Sequence, residues 1–283
     1  MSVEEELYQK YKPLIFSISY RMLGSVVEAE DIVQETFLTF FQIDANSISN
    51  HKAYLCKIAT NLCLDLLKSM RRKREEYIGP WLPEPYIVSE QEDLVMTKDC
   101  LSISYLLLME MLSPTERAVF LLKEVFAFSY KEISSIVQKT EVNCRKIFTR
   151  AKEKIGVDGQ ETKLNNEQNQ GIILEFIHSF QNGDMKKVME LISEDVILYS
   201  DGGGIVKAAI RPIFSRNRVI PFLQGVSSKA PNEMSSEIKC VNGQYGVLNV
   251  INSVPHSVIS FQIEQEKVKT IYIVLNPAKL KHI

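Results

Sequence analysis

The chain has 283 residues, a formal net charge of -2, and 45% apolar and 24% charged side chains. That length and balance suit a soluble protein of two or three domains, and the near-neutral charge argues against one that coats nucleic acid by bulk attraction. The N-terminus, Met1-Ser2-Val3-Glu4-Glu5-Glu6, is acidic, and the apolar stretch Leu101 to Leu112 is broken by serines and Glu110. Neither a secretion signal nor a bilayer span is expected, and a cytoplasmic protein is.

Helical spacing runs through the first part of the chain. Leu7, Tyr11, Leu14, Ile15 and Ile18 recur on one face, and Gly24-Ser25 interrupts. From Glu28 to Phe41, Ile32, Val33, Thr36, Phe37, Phe40 and Phe41 share a face opposite Glu28, Asp31, Gln34 and Glu35. A polar loop follows, then a long amphipathic helix from His51 to about Arg74, ending in Lys68-Ser69-Met70-Arg71-Arg72-Lys73-Arg74. Gly79-Pro80-Trp81-Leu82-Pro83-Glu84-Pro85 cannot be helix or inner strand, because three prolines remove amide donors. It reads as a linker, but one holding the only tryptophan is expected to pack against something.

Leu101 to Leu112 reads as helix. Ser113-Pro114-Thr115-Glu116 marks a helix start, and Ser129 caps another helix over Tyr130 to Val137. Gln138-Lys139-Thr140 then turns into a third, Glu141 to about Ile155. After a polar linker the pattern changes. Two helices, Gly171 to Phe180 and Met185 to Ile192, precede strand-like runs at Val196–Tyr199, Glu237–Val241, Tyr245–Ile251, His256–Ile263 and Val268–Leu275. That half is an α+β unit. The five cysteines are scattered without a C-x-x-C pair, and Cys56 and Cys63 sit seven apart on one helical face. Reduced thiols are expected, with no metal site and no cofactor.

Two features carry chemistry. The tight turn before Glu141 makes a helix-turn-helix candidate, with Thr140, Asn143, Arg145, Lys146, Thr149, Arg150 and Lys152 suited to base edges and phosphates. The plain alternative is a solvated basic helix. Melted DNA needs a cationic track and a small polar pocket for an extruded base. Lys52, Lys57, Lys68, Arg71, Arg72 and Arg74 suit the track, and Asn46, Ser47, Ser49 and Asn50 the pocket.

The order and wording of these stretches resemble the extracytoplasmic-function (ECF) branch of the sigma-70 family, over about the first 155 residues. Ala29-Glu30-Asp31-Ile32-Val33-Gln34-Glu35-Thr36-Phe37 is similar to sigma region 2.2, which implies docking on the polymerase clamp helices through Asp31, Gln34 and Glu35. Ala53 to Leu62, with Asp65, resembles the region that melts and reads the −10 element. This implies −10 roles for Asn46, Ser49, Tyr54, Lys57, Asn61, Arg71 and Arg72, although many relatives carry Trp where Tyr54 stands. Leu112 to Phe120 resembles the opening of region 4, and Arg150-Ala151-Lys152 the end of the −35 recognition helix. Asn143, Arg145, Lys146, Thr149, Arg150 and Lys152 are thereby implied at the −35 element.

Trp81-Leu82-Pro83-Glu84-Pro85, Asp201-Gly202-Gly203-Gly204 and Asn276-Pro277-Ala278-Lys279-Leu280 resemble the ECF group with a SnoaL-like C-terminal extension (sigma-J-like). Members often carry Lys after the glycines, where this chain has Ile205. The resemblance implies a multi-domain fold: two all-α sigma domains, a region 2 bundle and a region 4 helix-turn-helix, then an α+β SnoaL-like cone with a curved antiparallel sheet. The expected boundaries are 1–76, a linker 77–99, 100–156, a linker 157–170, and 171–283. Core RNA polymerase and promoter DNA are the implied partners, without a membrane or a separate anti-sigma factor. The extension is implied to regulate in cis through Trp81, Leu82, Pro83, Asp201, Gly202, Gly203, Gly204, Asn276, Pro277 and Leu280. A small-molecule ligand in the extension is a further candidate partner. The rival reading is enzymatic, with His178, Tyr199, Asp201 and His256 lining a pocket and Asp201 as a general base; no catalytic residue is assigned.

Overall fold

The computed structural model describes residues 3–43, 48, 50–87, 102–156 and 166–283, with backbone alone at 3, 70–75 and 166–167. These fall into two compact units. The first contains residues up to 75 and 105–156; the second contains 76–87, 102–104 and 166–283.

The first unit is helical throughout. Helix α1 (Val3–Leu23) buries every position from Ile15 onward, as a helix at the centre of a bundle must. Gly24 takes a left-handed conformation (φ 67°) to end it. Ser25 then caps α2 (Val26–Phe41), its hydroxyl accepting the Glu28 N–H at 3.2 Å. Inward positions on α2 follow helical spacing: Val26, Ala29, Ile32, Val33, Thr36, Phe37 and Phe40. Helix α3 (His51–Glu75) buries Leu55, Ala59, Cys56 and Cys63. Burial pushes both thiols up to about 12, so they pack as small apolar groups and stay protonated at neutral pH.

The second helical group is α4 (Ile103–Glu110), α5 (Pro114–Glu124), α6 (Tyr130–Val137) and α7 (Glu141–Ile155). Reciprocal capping boxes, Ser113 with Glu116 and Ser129 with Glu132, start α5 and α6 where the sequence places helix starts. Gln138 turns the chain in a left-handed conformation (φ 52°), and Thr140 caps α7. The two groups pack together, α5 on α1 and α3, and α6 on α3. Arg117 of α5 stitches them. Its guanidinium, 3% exposed, donates to the Met22 carbonyl in the last turn of α1 at 2.6 Å and pairs with Glu110 at 2.7 Å. Burial lowers this arginine to about 10, which leaves it charged at neutral pH. Lys52 of α3 lies over the Phe128 ring at 5.3 Å.

The second unit is α+β. Helices α8 (Asn166–Gln181), α9 (Met185–Leu191) and α10 (Arg216–Ser227) accompany an open six-stranded sheet in the order β2-β1-β6-β5-β4-β3. Its strands are β1 (Ile192–Asp201), β2 (Ile213–Phe214), β3 (Met234–Val241), β4 (Gln244–Ile251), β5 (Val254–Glu264) and β6 (Lys267–Val274). Pairing is antiparallel as expected, except that β1 runs parallel to β6 and joins the chain's first and last long strands. Phe176, Ile177, Val219, Val247, Phe261 and Ile271 anchor the core between helices and sheet. Helix α10 is absent from the sequence expectation because Pro221 and Gly225 interrupt it and Ser215 makes no side-chain cap.

Gly246 in β4 admits no side chain. A Cβ there would lie 2.5 Å from the Ile259 carbonyl oxygen of β5 and 2.9 Å from a Val241 methyl. Gly246→Ala is therefore expected to destabilise the chain by about 2 kcal/mol or more. A thermal melt of the full chain superimposable on the parent's would refute this.

Candidate functional site

Helix α7 has a buried face of Cys144, Ala151 and Ile155, which fixes its other face outward. Asn143, Arg145, Lys146, Thr149 and Arg150 are exposed there; Lys152 is half-buried, 3.8 Å from Glu124. The outer face is thus cationic and rich in donors, the chemistry that base edges and phosphates require. Asp31, Gln34 and Glu35 form an exposed acidic and polar strip on α2, directly opposite its apolar face. On α3, Tyr54, Lys57 and Asn61 are half-buried, Tyr54 packing 6.3 Å from the Phe40 ring. Asn46 and Ser49 lie outside the described residues, as do the side chains of Arg71 and Arg72.

The second unit is organised around one carboxylate. Asp201 ends β1 with 0% exposure, and both its oxygens are saturated. Its Oδ1 accepts the Tyr77 hydroxyl at 2.5 Å and the Gly203 N–H at 3.0 Å. Its Oδ2 accepts the Leu82 N–H at 2.8 Å and the Lys279 ammonium at 2.7 Å. Lys279 also donates to the Leu82 carbonyl, and its Nζ stands 4.3 Å from the Trp81 ring centre and 4.9 Å from that of Tyr77. Asn276 donates to the Tyr77 hydroxyl at 2.8 Å and caps the short 3-10 turn Pro277–Lys279 that delivers the lysine. Burial, then the Asp201 hydrogen bond, pushes the Tyr77 phenol well above its ordinary value, so it is a donor at any physiological pH.

The glycines after Asp201 answer to this packing. Gly203 has φ 60°, and a Cβ there would meet the Asn276 amide nitrogen at 2.2 Å. A Cβ on Gly202 would meet the Val206 carbonyl oxygen at 2.5 Å. Gly204 is exposed, with Ile78 close beside it. Leu82, Pro83 and Leu280 are buried, Trp81 is half-buried, and Pro277 is exposed. Farther along the segment, the Tyr86 N–H donates to Asn242 Oδ1 at 3.0 Å, and Ile87 bridges to Val241 at the edge of β3. His282 contacts the Pro85 carbonyl at 2.9 Å. Tyr77, Tyr86, Asn242, Lys279 and His282 all escape the sequence reading. Lys279 lay inside a stretch already singled out, but a lysine there reads as a solvated charge.

The residues of the enzymatic reading do not form a site. Asp201 has no oxygen left for a substrate proton, His178 and His256 are exposed, and Tyr199 stacks on Tyr272 at 5.8 Å. An open groove of about 550 Å³ lies on β3 and β4, lined by Glu233, Glu237, Leu248, Val250, Pro255 and Ile283. Among the described residues no cluster of three His, Cys, Asp or Glu side chains is placed to hold a metal ion.

Family models for Sigma-70 region 2 and Sigma-70, region 4 match residues 7–74 and 102–155. The chain is 27% identical over 278 residues to the probable ECF RNA polymerase sigma factor SigI of Mycobacterium tuberculosis, covering 96% of this chain and 93% of that protein. It is 25% identical to the ECF RNA polymerase sigma factor SigJ of the same organism, covering 99% and 93%. The crystal structure of Mycobacterium tuberculosis SigJ superposes with a TM-score of 0.79 at 24% identity over 98% of each chain, so the fold is shared throughout.

The saturated carboxylate makes a sharp energetic prediction. Lys279→Met leaves Asp201 charged and buried without its cation, and is expected to cost about 3–5 kcal/mol. Combining it with Asp201→Asn is expected to cost less than the two single changes summed. Urea unfolding followed by Trp81 fluorescence reads both, since the chain's one tryptophan lies against Lys279; simple additivity would count against the coupling.

Proposed function

The chain belongs to the ECF branch of the sigma-70 family, and from that premise we propose that its C-terminal unit regulates promoter recognition in cis by holding the tether between regions 2 and 4. As a sigma factor it gives RNA polymerase its promoter specificity at transcription initiation. Asp31, Gln34 and Glu35 of α2 meet the polymerase, being the exposed polar strip of a helix whose other face is core. Tyr54, Lys57 and Asn61, with Asn46, Ser49, Arg71 and Arg72, engage the −10 element. The outer face of α7 reads the −35 element through Asn143, Arg145, Lys146, Thr149, Arg150 and Lys152.

One observation carries the regulatory reading: residues 77–87, which join region 2 to region 4, are built into the fold of the C-terminal unit by Asp201, Asn242, Asn276 and Lys279. Holding those residues removes up to roughly 37 Å of extended reach between the two DNA-reading regions, at about 3.4 Å per residue. The packing of α6 on α3 is the matching closed arrangement of the helical unit. A regulator in the same chain makes a separate anti-sigma factor unnecessary. The protein works in the cytoplasm with its polymerase; among the described residues no helix is long and apolar enough to cross a membrane. No catalysis is assigned to the C-terminal unit, a reading supported by Asp201, the general base of the enzymatic alternative, already accepting from four donors.

In vitro transcription with core polymerase tests this across promoters whose −10 to −35 spacing is varied. Lys279→Met and deletion of Asn276 to Ile283 are each expected to raise output several-fold on long-spaced promoters relative to short-spaced ones. Identical spacing profiles for parent and variants would remove the regulatory reading and leave the sigma factor standing.

A further inference from the structure

We propose that Tyr130 is a positioning residue for promoter readout: its ring holds Arg145 as the reader of one guanine in the −35 element. The inference rests on α7 being the −35 reader, and adds which side chain discriminates and what aims it.

Arg145 is exposed on the second turn of α7, yet its guanidinium is not loose. The guanidinium carbon stands 4.3 Å from the centre of the Tyr130 ring, at the first position of α6. Tyr130 is itself held by Phe148, whose ring meets it edge-on at 6.2 Å and 74°. Phe148 in turn stacks at 6.0 Å on Phe120, which is 2% exposed in the core of the helical unit. An unbroken train of rings therefore runs from buried core to an exposed reading group. Glu141, one turn earlier on α7, approaches the same guanidinium at 3.9 Å, and the Thr149 hydroxyl donates to the Arg145 carbonyl at 3.1 Å. The Arg145 side chain meets its neighbours through one ring face and one distant carboxylate, so its forked donors stay available.

A planar guanidinium carries parallel N–H bonds, the geometry that matches O6 and N7 of guanine in the major groove, and a ring against it limits the directions in which they point. A mobile arginine gains affinity for any phosphate as readily as for a base, whereas an aimed one discriminates. Lys123, whose Nζ is 5.0 Å from the Tyr130 ring centre, shares the ring but ends in a point charge without a fork. Lys146 and Arg150 are exposed with no aromatic support among the described contacts, which suits phosphate contacts instead.

The test uses the full chain with core polymerase on a promoter library randomised across the −35 element, comparing the parent with Tyr130→Phe, Tyr130→Leu and Arg145→Lys. Tyr130→Phe is expected to keep the parent's base preferences. Tyr130→Leu and Arg145→Lys are expected to lose about tenfold discrimination for guanine at the same single position. The salt dependence of promoter binding should be unchanged in all three, because the phosphate contacts remain. A uniform loss of transcription in Tyr130→Leu with every base preference intact would reduce the ring to a structural role and overturn the proposal. If Asn143→Ala or Lys146→Ala shifts a base preference and Arg145→Lys shifts none, the proposal fails while α7 remains the reader. If no α7 substitution shifts any −35 preference, both fail together.

Discussion

A fully buried carboxylate must be met by donors on every side, and the second unit is arranged to meet this one. Desolvating Asp201 and Lys279 costs several kcal/mol per ion, which their attraction repays only with good geometry and complete hydrogen bonding. The donors come from three distant parts of the chain: Tyr77 and Leu82, Gly203, and Lys279. Removing one stretch leaves the others with a buried charge, so the cluster assembles as a whole. The main chain takes part as well, since the Asp201 carbonyl accepts the N–H groups of Leu275 and Asn276 where the last strand ends. A polypeptide tether and a C-terminal turn thereby become parts of one fold, which apolar contacts alone would specify far more loosely.

The same division between polar placement and apolar packing explains what the sequence discloses. Helices α1, α2, α3 and α5 to α7 are legible because their apolar positions repeat at helical spacing, and α2 and α5 to α7 also start on Ser or Thr caps. Helix α10 is not, because Pro221 sits in its interior. The three sequence stretches flagged for the C-terminal extension are brought together, but the residues that bind them are only half visible in advance. Asp201 and Asn276 stand in conspicuous turn contexts. Tyr77 follows a basic helix and Lys279 precedes the chain's end, positions where tyrosine and lysine ordinarily face water. The half-burial of Tyr77 and the burial of Lys279 follow from their long-range bonds to Asp201, which no local pattern encodes.

The helical unit shows why net charge misleads here. At -2 overall the chain has little long-range attraction for DNA. Its cations are instead sorted by depth. Arg117 is buried and spends its donors on Met22 and Glu110, Lys52 covers the Phe128 ring, and Arg145, Lys146 and Arg150 stay on the outer face of α7. Buried Arg117 holds the two helical groups together with exposed Lys52 alongside, while the exposed cations of α7 remain for a polyanion.

Magnitudes also decide how a held tether acts. Shortening a flexible connection by half changes its closure entropy by only about 0.6 kcal/mol, too little to lock two domains together or to prise them apart. Maximum span behaves differently, since every residue withdrawn lowers a ceiling that no binding energy can exceed without breaking the clamp. On the proposed reading, regulation through residues 77–87 is thus a limit on reach, and its strength is the free energy of the Asp201–Lys279 cluster that must be broken to lift it. Two promoter elements close enough to be touched together impose no strain on the clamp, whereas elements beyond that limit must open it. A buried ion pair is well suited to setting such a limit. Apolar packing erodes gradually as a segment is drawn away, but a buried carboxylate opposes the loss of each donor with the cost of an unmet hydrogen bond, and the loss of its cation with more.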